Sequence, residues 1–80
     1  MKMENRYILK IDNYGRFKKS GYLQRLGLYS ISICSDIYRA KPFKTLKTVE
    51  KSAKTVMDRF PDVNISILTI KIVIEDDRVY

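Results

Sequence analysis

Eighty residues with a formal net charge of +7 make a short, strongly basic chain, long enough for a single domain spanning residues 1–80 and one modest core. Hydrophobic residues at 45% and charged residues at 31% give an ordinary globular balance, far from the composition that keeps a chain disordered. With no His and the one cysteine Cys34, the usual zinc and copper sites, the His-based catalytic arrangements and an intrachain disulfide are all excluded.

The apolar stretches are broken by Lys, Asp or Ser well before the roughly 18 residues that a membrane-spanning helix requires. The first residues, Met1 to Arg6, offer no apolar core or cleavage site of a secretory signal. A cytoplasmic protein without membrane contact is therefore expected, and the lone cysteine agrees with a reducing compartment.

In chain order, Arg6–Ile11 is rich in β-formers, with Tyr7, Leu9 and Ile11 alternating against Ile8 and Lys10, which predicts a strand with one buried face. Asp12-Asn13-Tyr14-Gly15 contains two residues that tolerate positive φ, so a hairpin turn is expected there. Arg16–Lys19 would then return beside the first strand, with Ser20-Gly21 marking a bend. Leu28–Cys34 alternates Tyr29, Ile31 and Ile33 against Ser30, Ser32 and Cys34, the pattern of a half-buried strand.

Ser35 or Asp36 suits the start of a short helical turn through Ala40, which Pro42 prevents from continuing. Thr45 fits an N-cap, and Leu46, Val49, Ala53, Val56, Met57 and Phe60 recur at helical spacing opposite Lys47, Lys51, Lys54 and Asp58. An amphipathic helix over Thr45–Phe60 follows, and Pro61-Asp62 ends it. Asn64 to Glu75 predicts a long last strand, with Leu68, Ile70, Ile72 and Ile74 on one face and Ile65, Ile67 and Val73 on the other. Apolar residues on both faces point to a central strand, or to a face kept for a partner. The tail Asp76–Tyr80 is polar enough to fray.

These elements assemble into an α+β fold, a small and mainly antiparallel sheet of three or four strands with one amphipathic helix packed on one face. The predicted core holds Tyr7, Leu9, Ile11, Ile31, Ile33, Ala40, Phe43, Val49, Ala53, Val56, Phe60, Ile70 and Ile72. The other sheet face is the expected interaction surface.

The charge makes an anionic partner attractive. Arg16, Lys18, Lys19 and Arg25 surround Phe17 and Tyr22, an interleaving that offers phosphate contacts and stacking platforms. A solvated basic face over two core aromatics accounts for the same residues. The helix lysines Lys44, Lys47, Lys51 and Lys54 read first as a solvated face, as on most amphipathic helices. Tyr14, Tyr38 and Tyr80 fall outside the core periodicity and are candidates for an interface, where aromatic and Arg anchors concentrate binding energy.

Cys34 has no imidazole to activate it and sits where a small half-buried hydrophobe is normal. Glu75, Asp76 and Asp77 diverge if extended and cannot converge on one metal ion. The chain lacks a Walker loop, a dinucleotide fingerprint and a nucleophile elbow, so neither enzymatic activity nor a cofactor is expected.

The run Tyr7–Ile11, a turn ending in Gly15, then Lys19-Ser20-Gly21-Tyr22 and Asp36–Thr45 ahead of a helix resembles small proteins encoded by phages of Firmicutes, over residues 6–60. Its most telling part is the spacing of Ala40, Phe43 and Thr45, two core plugs followed by an N-cap. The segment Leu23–Leu28 and the long last strand depart from that pattern. The resemblance implies a non-catalytic, stoichiometric inhibitor of a host defence protein or nucleoprotein, as anti-CRISPR proteins are, and it carries no functional residue across.

The residues expected to meet a partner are Arg16, Phe17, Lys18, Lys19, Tyr22, Arg25, Tyr38 and Arg39. The alternative is an accessory protein that binds DNA or RNA directly, with Arg16, Lys18, Lys19, Arg25 and Arg39 on phosphate and Phe17 or Tyr22 on bases. A homodimer through edge pairing of the last strand is the third.

Overall fold

A computed structural model describes residues 2–74. The chain forms a four-stranded antiparallel sheet with spatial order β3-β2-β1-β4, one 14-residue helix and a short 3-10 turn. The strands are β1 (Lys2–Tyr14), β2 (Lys19–Leu26), β3 (Ile31–Cys34) and β4 (Asn64–Ile74). The 3-10 turn is Ile37–Arg39 and the helix, α1, is Leu46–Arg59. This is the α+β class that the alternation and helical periodicity predict.

Helix α1 starts and stops where its chemistry dictates. The Thr45 hydroxyl accepts the Thr48 N–H at 3.2 Å in the manner of an N-cap, and the Phe60 N–H closes the last turn on the Val56 carbonyl before Pro61. Val49, Ala53 and Val56 are buried against the sheet. Leu46 and Met57, expected on the same stripe, are instead largely exposed, because a single helix over a narrow sheet buries only its central row.

The core consists of Leu9, Ile11, Leu23, Ile31, Phe43, Val49, Ala53, Val56 and Val63, with Tyr7, Tyr14, Leu26, Ile33, Phe60 and Ile65 packed around it. Leu23 and Val63 were missing from the predicted core. Ile70 and Ile72 do not join this core and are only half buried. The β1/β4 register pairs them with Arg6 and Glu4, on the sheet face opposite α1.

Two irregularities set which side chains face the helix. In β1 the register against β2 shifts between Ile11 and Tyr14, and Asn13 there takes φ 62°, a β-bulge in which one strand carries an extra residue. The extra residue turns Tyr14 to the helix side, where its ring meets Phe60 edge-on at 5.1 Å. Tyr14 is thus a packing residue rather than an interface candidate. The strand also continues to Tyr14, so the hairpin reverses over Gly15 to Lys18, closed by the Lys18 N–H on the Gly15 carbonyl, and not over Asp12–Gly15.

The second shift lies in β2 between Leu23 and Arg25, where Arg25 pairs Ser32 and Leu26 pairs Ile31. It sends Leu26 into the core and Arg25 to the opposite face. Gly21 allows the close approach of β3, since a Cβ built there would lie 2.8 Å from the Cys34 carbonyl oxygen. Ser20-Gly21 is accordingly part of a strand, not a bend. β3 begins only at Ile31, and Tyr29, expected to face inward with Ile31 and Ile33, is 94% exposed.

Beyond Leu23, β1 and β2 splay, and the segment after the 3-10 turn fills the wedge. Lys41 N–H donates to the Leu23 carbonyl at 2.8 Å, while Tyr7 and Phe43 exchange backbone hydrogen bonds of 2.8 and 2.9 Å. This wedge seats Phe43 in the core and carries Ala40 and Ile37 beneath the other face. There they bury Ile8, which is 1% exposed, so that β1 is covered on both faces at this point and not on one alone.

β4 is an edge strand rather than a central one. It pairs with β1 along its whole length, from Asp12↔Asn64 to Lys2↔Ile74, so the far part of the β1/β4 ribbon projects past the helix and draws the molecule out to 50 × 23 × 21 Å. The expected terminal features, Glu75, the fraying tail Asp76–Tyr80 and the interface candidate Tyr80, lie outside the described residues.

Candidate binding surface

The helix-free sheet face and its two ends hold the residues singled out by sequence, but as separate groups. Arg16, Phe17 and Lys18 form the tip of the β1/β2 hairpin and Lys19 opens β2. All four are exposed, and the Phe17 ring is 79% accessible. The bulge at Asn13 and the positive φ of Gly15 (75°) and Lys18 (53°) shape the turn on which Arg16, Lys18 and Lys19 flank Phe17 in sequence; the cation–π contact among the described residues is that of Lys41 over the Phe43 ring at 5.4 Å.

Behind the tip, a groove of about 490 Å³ lies between the hairpin and the end of α1, bounded by Lys18 and Arg59 with Asp62 and Phe60 on its wall. The Asn13 side-chain amide donates to the Asp62 backbone carbonyl at 2.9 Å and fixes the two loops to each other. Arg59 is tied to the Gly27 carbonyl through its guanidinium.

Tyr22 and Arg25 lie further along, on the helix-free face. Tyr22 stands opposite Lys10 on β1 and Cys34 on β3, and Arg25 stands beside Ser32. The Cys34 thiol lies within donating distance of the Asp36 and Tyr22 carbonyls, at 3.3 and 3.6 Å, and its one proton, shared between them, makes a local clasp between β3 and the start of the 3-10 turn.

Tyr38 and Arg39 sit on the 3-10 turn, which Asp36 caps by accepting the Tyr38 N–H on its carboxylate at 2.9 Å. The turn leaves Tyr38 94% exposed at the rim of a second groove of about 460 Å³. The floor of that groove is apolar, made by Ile8, Ile70, Ile72, Ala40 and Pro42, with Arg6 and Lys71 beside it. Arg6 and Tyr14 are eight residues apart on β1, so this groove and the hairpin tip are separated by roughly 27 Å at about 3.3 Å per residue.

Arg6 is held in place. Its guanidinium meets the Glu4 carboxylate at 2.7 Å and donates to the Asn5 carbonyl at 3.0 Å. The hydrogen bond from Arg6 is the main reason the Glu4 carboxyl titrates below its usual range. Glu4 also approaches Lys2, at 4.0 Å, and these two contacts are the ion pairs found among the described residues. Arg16, Lys18 and Lys19 therefore meet no carboxylate within salt-bridge distance there.

Comparison with family models, curated proteins and solved structures gives no match. No helix among the described residues is long and apolar enough to cross a membrane.

The structure puts Arg16, Phe17, Lys18 and Lys19 at the hairpin tip, Tyr22 and Arg25 further along the sheet, and Tyr38 and Arg39 on the 3-10 turn; Ile8, Ile70 and Ile72 of the second groove are not among the residues expected from the sequence to meet a partner. The signal for that groove is the apolar run on both faces of the last strand, which points to a central strand or to a face kept for a partner; the edge position of β4 rules out the first.

Proposed function

We propose that this protein acts by binding and without catalysis, as a stoichiometric inhibitor of a host defence nucleoprotein of the CRISPR effector type. In this reading the hairpin tip occupies a site meant for nucleic acid, and the groove under Tyr38 takes an apolar side chain from the same target. The observation that carries the proposal is the tip, where Arg16, Lys18 and Lys19, which meet no carboxylate within salt-bridge distance among the described residues, adjoin an exposed Phe17. Cations and an exposed ring at the end of a rigid hairpin suit a pocket lined for phosphate. The resemblance to small phage proteins supplies the class of target.

The second groove favours a protein over a free nucleic acid. An apolar floor with Tyr and Arg at the rim has the anatomy of a protein interface, a desolvated centre within a polar border. A direct nucleic-acid binder would use Tyr22 with Lys10 and Arg25 on the helix-free face, and that arrangement keeps the second reading open to test.

The experiment is a salt-titrated binding assay with single- and double-stranded DNA and RNA, run beside cleavage assays on purified, guide-loaded CRISPR effectors. The proposal expects negligible binding of free nucleic acid at physiological salt. It also expects inhibition that saturates at one protein per effector and is lost in Phe17→Ala and Lys18→Glu. Tight binding that weakens linearly on a log-log salt plot, by about −0.9 per neutralised phosphate on duplex DNA and about −0.7 on single strands, would replace the inhibitor by the nucleic-acid binder. Absence of both activities would overturn the two readings together.

A further inference from the structure

We propose that β4 is the seat of a symmetric homodimer, formed by antiparallel pairing of its free edge with the same edge of a second copy, centred on Thr69. The backbone directions give the register. Tyr7 directs both its N–H and its carbonyl to Phe43, away from β4, although Tyr7 stands directly opposite Thr69. In an antiparallel ladder, facing residues either exchange both hydrogen bonds or neither, so Thr69 turns its own N–H and carbonyl outward.

By the alternation of a strand, Ile65, Ile67, Lys71 and Val73 do the same. Among the described residues no strand pairs with this row, and a row of this kind is a template for another strand. The edge carries no proline, and Lys71 is the sole charged residue of the eleven in β4.

A two-fold axis through Thr69 puts outward-facing residues opposite outward-facing residues throughout. Thr69 meets its own symmetry mate, Ile67 meets Lys71, and Ile65 meets Val73, each pair occurring in the exchanging position. Every outward N–H and carbonyl of these five residues is then satisfied. The side chains agree with the backbone. Val73 is 53% exposed and gains an isoleucine neighbour, Thr69 makes a favoured Thr pair, and Lys71 lies across from Ile67 rather than from another cation.

Shifting the axis to Lys71 would oppose the two lysines. The register centred on Thr69 also avoids the helices. α1 packs near the Ile65 end of β4, and the two Ile65 residues of the dimer are eight positions apart along the ladder, roughly 27 Å. That separation exceeds a helix diameter of about 10 Å. The second copy is therefore the occupant that this edge fits without rearrangement, giving a continuous eight-stranded sheet with both helices on one face.

Sedimentation equilibrium of the full chain tests the assignment, with the wild type expected at twice the 9.4 kDa chain mass. Raising the salt should preserve or tighten the dimer, because it screens the repulsion between two chains of charge +7. Thr69→Pro removes an outward N–H without touching the β1 ladder and should weaken association by tenfold or more while leaving the far-ultraviolet spectrum unchanged. Ile67→Lys opposes Lys71 of the second copy and should do the same.

Ile67→Glu faces that lysine with a carboxylate and should keep the dimer. A monomer at every concentration overturns the proposal, as does a dimer indifferent to Thr69→Pro and Ile67→Lys. Loss of the dimer in Ile67→Glu together with its retention in Ile67→Lys overturns the register.

Discussion

Replacing Gly21 by Ala tests the close approach that holds β3 to the sheet. The new Cβ would stand 2.8 Å from the Cys34 carbonyl oxygen, with the Cys34 carbonyl carbon and the Ile33 Cβ both at 3.4 Å. The nearest atom is backbone, so no side chain can swing away, and β3 must retreat by several tenths of an ångström. Overpacking of this sort costs about 1–3 kcal/mol. β3 has only four residues and pairs only with β2, so the strain falls on the least anchored strand.

Urea titration should therefore move the midpoint down by an amount equivalent to about 1–3 kcal/mol with little change in slope. The Cys34 thiol, now clasped to the Tyr22 and Asp36 carbonyls, should react faster with a thiol reagent. A loss below about 0.5 kcal/mol, the range of ordinary surface substitutions, together with unchanged thiol reactivity would refute the packing argument.

Lys18 holds φ 53° in the left-handed region, so Lys18→Gly should stabilise the fold by roughly 0.5–1 kcal/mol in thermal or urea unfolding while weakening target inhibition. Thr45→Ala removes the cap on Thr48 N–H and should cost about 1 kcal/mol in the same assay. The Glu4 carboxyl is lowered from its usual 4.5, so the unfolded chain takes up the proton first as the solution is acidified. Its contribution is present above pH 4.5 and fades as pH falls through the lower folded value. A side-chain NMR titration should find the Glu4 midpoint moving back toward 4.5 in Arg6→Gln.

The helix was legible because its signals are local: a hydroxyl cap at Thr45, an apolar stripe through Val49, Ala53 and Val56, and a proline stop. The strands were legible as strands, but their facing was not. A period-two pattern assumes an unbroken register, and the bulges at Asn13 and between Leu23 and Arg25 each reverse it. Tyr14 and Leu26 enter the core for that reason, and Arg25 leaves it.

Ile8 was misassigned for another reason. What covers it is the turn at Ile37–Arg39, which reaches this face through the wedge between β1 and β2, and no pattern within β1 reports a cover brought from 30 positions away. The same lack of long-range information made apolar β4 look central, when its second apolar face lines a groove and its edge is open.

The hairpin tip and the β4 edge answer to salt in opposite ways. Contacts from Arg16, Lys18 and Lys19 to an anionic target weaken as counterions compete, whereas pairing of two copies through Thr69 brings together two positively charged bodies and gains from screening. The proposed two-fold axis stands perpendicular to the sheet, so both hairpin tips lie far from it, while the grooves floored by Ile70 and Ile72 flank the seam. Each dimer would then offer two tips, and a target with two matching sites would bind it more tightly than the monomeric Thr69→Pro variant through effective concentration alone. If Thr69→Pro inhibits at the same concentration as the wild type, dimerisation and inhibition are independent properties of the fold; if it inhibits only at higher concentration, the two-fold axis is part of how the tips engage their target.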